Sequence, residues 1–272
     1  MDQKRRKELL ERAWNIKKRF LKMYKTANAG HVGTSLSCAE LLTFVVFDWM
    51  QGEDEFILSK GHAAAALYST LAERGFITEK DIETFYCDAT YLAAHPPPNK
   101  LKGIPFATGS LGHGLSLAAG LALASRYKKS GKRAFCITSD GEIDEGSLWE
   151  AASFIIHHSL QNVIWLIDRN HLQGFGRTEE VLKLEPLTKR LTLLGFTAVE
   201  CNGHDFASLE QGKLLLERSS KPGVLICSTI KGKGWKPYEN TVDSHYLPMK
   251  DEQYEALIAE IDNQYLRSVS GL

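Results

Sequence analysis

The chain has 272 residues, with 33 Lys plus Arg balanced by 33 Asp plus Glu and no long basic block, so it lacks the phosphate-neutralising surface of a nucleic-acid binder. Five scattered cysteines with no Cys-x-x-Cys pair exclude a zinc or redox motif and fit free thiols in a reducing cytosol. The amino-terminal segment is charged, and no apolar run approaches the ~20 residues that cross a bilayer, so a cytoplasmic protein with no membrane partner is expected.

Leu9, Leu10, Ala13, Ile16, Phe20 and Met23 recur at helical spacing and predict an amphipathic helix over 3–25. Residues 26–37 break that pattern, with Gly30 and Gly33 on either side of His31, before 39–50 resume as an apolar helix. A histidine is thus expected on a loop between helices. Residues 56–59 read as a strand, followed by Lys60-Gly61-His62 at the start of an Ala-rich helix over 63–72. His62 there suits an anion, because free backbone N–H groups and the helix dipole favour negative charge. Thr78 caps a short helix to residue 86, and 87–106 form a long loop in which His95 precedes three prolines. Residues 107–114 (ATGSLGHG) predict a close backbone approach to a ligand, then a small-residue helix over 115–127.

A strand over 133–138, a helix over 146–160 and a strand over 162–167 form a strand-helix-strand unit. Parallel strands joined by a right-handed crossover end on the same side of the sheet, so Asp140 and Asn170 are expected to face one crevice. A carboxylate and an amide oxygen suit a hard cation such as Mg2+, which one or two protein groups share with the phosphates of a ligand. The expected ligand is therefore a metal-diphosphate. Beyond this unit the sequence predicts a helical segment over 179–194, a strand over 197–201, a helix over 206–218 capped by Asp205, and a buried strand over 223–230. Lys231-Gly232-Lys233-Gly234 reads as a flexible basic loop leading to His245, and 251–266 as a closing helix. His204 reads as structural, and His157 and His158 as packing or surface residues. Strands alternating with helices predict an α/β fold, a parallel sheet flanked by helices on both faces. One domain over 1–272 is expected, with 240–250 an ordered loop extension.

Several loops stand in one order: Asn28-Ala29-Gly30-His31-Val32-Gly33, Leu58-Ser59-Lys60-Gly61-His62-Ala63, Ala94-His95-Pro96, Thr108-Gly109-Ser110-Leu111-Gly112-His113-Gly114, and Asp140-Gly141 followed by Asn170. Together they resemble the amino-terminal, diphosphate-binding part of transketolases, most closely the separately encoded subunit of split transketolases. The resemblance implies a thiamine diphosphate-binding fold, thiamine diphosphate with Mg2+ or Ca2+, and transfer of a two-carbon ketol unit from a phosphorylated or modified ketose to an aldose. It implies that Asp140, Asn170 and the main-chain carbonyl of Leu172 hold the metal, and that His62 and Gly141 touch the diphosphate. Asn170 and His245 also match cofactor contacts, Gly109, Ser110 and Leu111 match the segment beside the thiamine rings, and Glu145, joined by Glu150, matches an acidic cluster at a subunit interface. His31 and His245 match residues that handle substrate hydroxyl protons, and His95 one that binds the donor.

The same resemblance implies a partner, because the family's activating glutamate lies in a carboxy-terminal pyrimidine-binding part for which this chain has no room. An α2β2 assembly with that subunit is expected. The sequence departs from the family pattern at Val32, where a proline is usual, at His113 in place of Gln, and at Ser139 in place of the first glycine of Gly-Asp-Gly. Ser244-His245-Tyr246 replaces Trp-His-Gly, which implies an altered substrate scope. Two other readings stand beside this one: the α subunit of a 2-oxo-acid dehydrogenase, which shares the Asp-Gly and Asn pattern, and a non-catalytic cofactor-holding subunit.

Overall fold

The computed structural model describes residues 1–98 and 101–271. Among these, β1 (Glu55–Leu58), β2 (Ala134–Ser139), β3 (Val163–Arg169), β4 (Thr197–Asn202) and β5 (Gly223–Ser228) form one sheet in the order β1-β2-β3-β5-β4, with every pair parallel. The period of two along each strand sends alternate side chains to opposite faces. In β3, Ile164 and Leu166 join one buried cluster while Val163, Trp165 and Ile167 join another. β2 divides likewise, Phe135 and Ile137 against Ala134 and Cys136. Both faces therefore need helical cover, and an α/β fold with helices on each side is what forms.

On the first face lie α1 (Gln3–Ala27), α2 (Val32–Phe44) and α3 (Ala64–Glu73), followed by the short α4 (Glu79–Ile82). The second face carries α5 (Gly114–Lys128) and α6 (Gly146–His157), then α7 (Thr178–Val181) and α8 (Leu187–Leu194), with Leu115, Leu148, Leu187 and Leu191 in its core. α9 (Phe206–Glu217) returns to the first face, and α10 (Asp243–Tyr246) precedes α11 (Asp251–Ser270), which packs Leu257 and Ile261 into the first core. The α1 stripe is buried as its spacing predicts, except that Leu10 is only partly covered.

Three expectations change. α2 begins at Val32, seven residues before the predicted start at 39, because Asn28 and His31 adopt left-handed conformations that turn the chain sharply from α1 into a new helix. Its small residues are helical for packing reasons: a Cβ on Gly33 would collide with the Ser244 side chain. The run Val32–Trp49 is long and apolar enough to cross a membrane by length and composition, contrary to the sequence expectation, yet 89% of it is buried inside the protein. It is a core helix wrapped on all sides.

The helix expected over 179–194 is two helices, since Pro186 lacks the amide hydrogen that a helix interior requires and stands at the cap of α8. Thr78 caps α4 as predicted, with a reciprocal bond to Asp81, but the helix ends at Ile82. The long loop over 87–106 is irregular where described, and its residues 99 and 100 lie outside the described residues. Asp205 caps α9 by accepting from the Ala207 and Ser208 amides. The expected extension over 240–250 holds α10, whose Ser244 is fully buried.

Candidate active site

Because all five strands are parallel, the loops after β1, β2, β3 and β5 emerge at one edge of the sheet. They enclose a 440 Å³ cleft lined by His31, His62, Asp140, Asn170, Lys231 and His245, among others. The 171–176 loop, Leu111 and Tyr246 complete its walls.

Asp140 follows β2 directly and is 1% exposed. Its Oδ1 accepts from the Gly141 amide at 3.0 Å, and its Oδ2 from the His171 amide at 2.7 Å and the Thr178 hydroxyl at 2.9 Å. Burial, and then the nearby Asp168, raise its pKa against the lowering effect of those bonds. A cation would relieve that cost. Asn170, 2% exposed, follows β3, and its Oδ1 accepts from the Leu172 amide at 3.1 Å. The Leu172 carbonyl accepts from the Lys231 ammonium at 2.8 Å, so a positive charge already sits against the expected ligand set.

No group of three or more His, Cys, Asp or Glu able to hold a metal exists among the described residues. One carboxylate, one amide oxygen and one carbonyl oxygen fit a hard cation only if the ligand adds oxygens, as a diphosphate does. The donor set present fits that arrangement.

The imidazoles form a triangle, with ring centroids 5.0 Å apart for His31 and His245 and 5.5 Å for the other two pairs. Hydrogen bonds fix the tautomers of His31 and His245. His31 Nδ1 lies 2.6 Å from the His245 carbonyl oxygen, which can only accept, so the proton is on Nδ1 and Nε2 is a bare acceptor. Lys231 donates to His245 Nδ1 at 2.6 Å, so His245 carries its proton on Nε2. His62 Nε2 pairs with the Thr34 hydroxyl at 3.1 Å.

Burial depresses all three histidines. His31 is also lowered by Lys231, His62 lies well below its ordinary value with Lys60 adding to burial, and His245 is pushed down to about 3 with Lys231 adding. Burial and Lys60 together bring Lys231 down to about 8. The three rings are therefore neutral at pH 7.

These shifts have a sign. Below the ordinary histidine value of ~6.5 the unfolded chain binds protons that the folded chain refuses, so stability is complete above that pH and is lost as pH falls through it. The melting temperature is expected to decline steadily from pH 7 to pH 5, by ~2–4 °C for each kcal/mol lost. A profile flat across that window would contradict the placement of these rings.

His95 is exposed and does not line the cleft, but its ring lies against Gly109, where a Cβ would meet it at 2.9 Å. Gly109, Leu111, Gly141 and Glu145 all line the cleft, whereas Ser110 is exposed and does not. The anion argument for His62 needs correction. A 3-10 turn, Gly61–Ala63, precedes α3, and the Gly61 and Ala63 amides bond to Ser59 and Lys60 carbonyls. Two amides of that turn are thus already paired, and the Lys231 ammonium in the same cleft adds attraction for an anion.

Lys231 is the larger correction, being 2% exposed and not part of a flexible basic loop. Its signal was topological: it follows β5 as Asp140 follows β2 and Asn170 follows β3. Glu142 also escaped sequence reasoning. Fully buried, it accepts from the Ser59 hydroxyl and from the Gly112 and Ser139 amides, tying three site loops together. Beneath the site a buried Lys60–Asp168 ion pair receives further bonds from Ser37 and Thr229. His204 is structural as expected, bonded to Glu40 and to the Ile230 amide, and His157 and His158 do not line the cleft.

Comparison with known proteins agrees with this geometry. The transketolase, thiamine diphosphate binding domain family matches residues 15–262. The chain is 36% identical over 258 residues to a protein of Phocaeicola vulgatus named as one subunit of an apulose-4-phosphate transketolase, covering 91% of this chain and 92% of the relative. It is 34% identical to the 6-deoxy-6-sulfo-D-fructose transketolase subunit SqwG of a Clostridium species, covering 94% and 97%. The crystal structure of Campylobacter jejuni transketolase superposes with a TM-score of 0.87 at 28% identity, over 94% of this chain but only 42% of that one. A likeness that spans nearly the whole chain, in sequence and in fold, places this protein in the transketolase thiamine diphosphate-binding domain family.

Proposed function

We propose that this chain is the diphosphate-binding subunit of a two-subunit transketolase, which moves a two-carbon ketol unit from a ketose to an aldose. The observation that carries the reading is the triangle of His31, His62 and His245, the first and last with fixed tautomers, beside the Asp140, Asn170 and Leu172 oxygens. When bound, thiamine diphosphate supplies the carbon nucleophile and electron sink that this reaction needs.

The protein's own groups do the rest. Asp140, Asn170 and the Leu172 carbonyl would hold Mg2+ or Ca2+, and the Lys231 ammonium, now bonded to that carbonyl, would add positive charge for the diphosphate. His62, Thr34 and Gly141 would border the diphosphate, and Gly109, Ser110 and Leu111 the thiamine rings. His31 Nε2, a bare acceptor, takes a proton from a substrate hydroxyl, and His245 Nε2–H donates to a substrate oxygen. His95, at the rim against Gly109, meets the donor as it enters.

The partner is a carboxy-terminal pyrimidine-binding subunit in an α2β2 assembly, with Glu145 at the contact. Two things support it. Relatives of nearly this length are named as single subunits of transketolases rather than as whole enzymes. Phe175 lines the cleft while 88% exposed, joined by half-exposed Val181, and an apolar rim of this kind marks a surface that another protein covers.

Product analysis tests the reaction. With a ketose donor and glycolaldehyde, the assembled complex is expected to convert the aldehyde into a ketose longer by the transferred two-carbon unit and to release the donor as a correspondingly shortened aldose, whereas consumption of pyruvate in place of the ketose would point to 2-oxo-acid chemistry. In the same complex His31→Ala is expected to lower kcat by ~10^2 to 10^4, the worth of a positioned proton carrier. Stabilisation by thiamine diphosphate should persist in that variant; unchanged turnover would remove His31 from the chemistry.

A further inference from the structure

Tyr246 is a large aromatic side chain in the cleft wall whose placement is fixed from both ends. Ser244, two residues before it, is fully buried against Gly33, and its hydroxyl donates to the Thr241 carbonyl at 2.7 Å. The His245 carbonyl accepts from both the His31 amide, at 2.9 Å, and the His31 ring. The Tyr246 carbonyl lies so close to Gly30 that a Cβ there would collide with it. At the other end the phenol reaches Gly174, where a Cβ would collide with the hydroxyl oxygen. The residue thus bridges the cleft mouth, its backbone against the turn before α2 and its phenol against the 171–176 loop, and both contacts require glycine.

Between these anchors the ring packs against His245, with centroids 4.6 Å apart and planes at 65°. It stays 49% exposed, so a broad apolar surface faces the opening just outside the three histidines. An aromatic ring offers a flat apolar face, and the C–H face of a polyol chain is its natural complement. The hydroxyl tip lies against Gly174 at the loop, which leaves the ring as the surface presented to a ligand.

The geometry points to Tyr246 as a specificity-determining residue: a platform on which the sugar carbons beyond the reacting pair lie flat. This rests on the ketol-transfer reading and adds a substrate class to it, acyclic sugars long enough to extend from the histidines past the ring. A two-carbon aldehyde ends before the platform, and a five-carbon aldose crosses it.

The test is a chain-length series in the reconstituted complex, with glycolaldehyde, glyceraldehyde, erythrose and ribose as acceptors and one ketose donor. In Tyr246→Gly the kcat/KM for ribose is expected to fall about tenfold relative to that for glycolaldehyde, the scale on which a lost apolar contact discriminates substrates. The loss should appear in KM, and Tyr246→Phe should restore the wild-type ratio. An equal loss at every chain length, in a variant that still melts cooperatively and is stabilised by thiamine diphosphate, would mean a structural role and overturn the inference. So would an unchanged ratio, a gain for ribose, or a Tyr246→Phe that behaves like Tyr246→Gly. If the wild-type complex transfers no ketol unit even to glycolaldehyde, the functional reading fails first and the platform with it.

Discussion

Asp140→Asn is expected to abolish stabilisation by thiamine diphosphate and Mg2+ while leaving the unliganded protein at least as stable as wild type. The two halves have one cause. The Asp140 carboxylate is buried and faces Asp168, so its pKa is raised above the unfolded value. A group with a raised folded pKa makes its favourable contribution at low pH, and at pH 7 its ionisation is a cost to the fold. Asparagine removes that cost, and its amide oxygen can still accept from the His171 amide and the Thr178 hydroxyl, which Asp140 Oδ2 now binds at 2.7 and 2.9 Å, so that only the bond from the Gly141 amide to Oδ1 is given up against it. A neutral amide beside Asn170 and the Leu172 carbonyl would leave the proposed cation no carboxylate, and binding of the diphosphate would be lost with it. Wild type at about 100 times the dissociation constant should gain roughly 2.7 kcal/mol, or about 5–11 °C. Thermal melts with and without the two ligands decide it. An equal shift in both proteins would mean that the cation binds elsewhere.

Asp168→Asn is expected to be the most destabilising single change near the site. Lys60 is fully buried and has Asp168 as its counter-ion, with the Thr34 carbonyl and the Ser37 hydroxyl at 3.3 and 3.4 Å as weaker partners. Burial alone would raise the Asp168 pKa, but Lys60 together with hydrogen bonds from Ser37 and Thr229 holds it below the ordinary carboxylate value. A depressed carboxylate gives stability that is present above the unfolded pKa of ~3.9 and lost as pH falls through the folded one. Removing the charge strands a buried ammonium, at a cost of about 3–5 kcal/mol, or some 6–20 °C. Replacing both partners by apolar residues of similar size, Lys60→Met with Asp168→Leu, should recover most of that loss. Denaturant unfolding of the single and double variants measures both quantities. A single variant as stable as wild type would mean that Lys60 finds another partner.

The parts of this molecule that were legible in the sequence are those where local pattern and tertiary role agree. β2 and β3 are apolar runs at the centre of the sheet, so their ends were placed within two residues and Asp140 and Asn170 came to one crevice as expected. His204, read as structural, is held by Glu40 and the Ile230 amide. Lys231 was illegible because a Lys-Gly-Lys-Gly run has the composition of a solvated loop, and only its position past β5 turns it inward. The first turns of α2 were hidden in the same way. Gly33, Thr34, Ser35 and Ser37 are poor helix formers locally, and they are helical because every one of them is buried against other elements. Glu142 and Asp168 have meaning only through partners far away in the chain, such as Ser59, Gly112 and Lys60. No local pattern announces such contacts.

The central claim is that this chain holds half of a ketol-transfer site. Its most direct test is to titrate the purified chain with a pyrimidine-binding transketolase subunit from the same organism, in thiamine diphosphate and Mg2+, while following ketol transfer from a ketose to glycolaldehyde. Neither protein is expected to turn over alone, and activity should rise to a plateau at equal amounts of the two. Full turnover by this chain alone, or none at any ratio, would contradict the account.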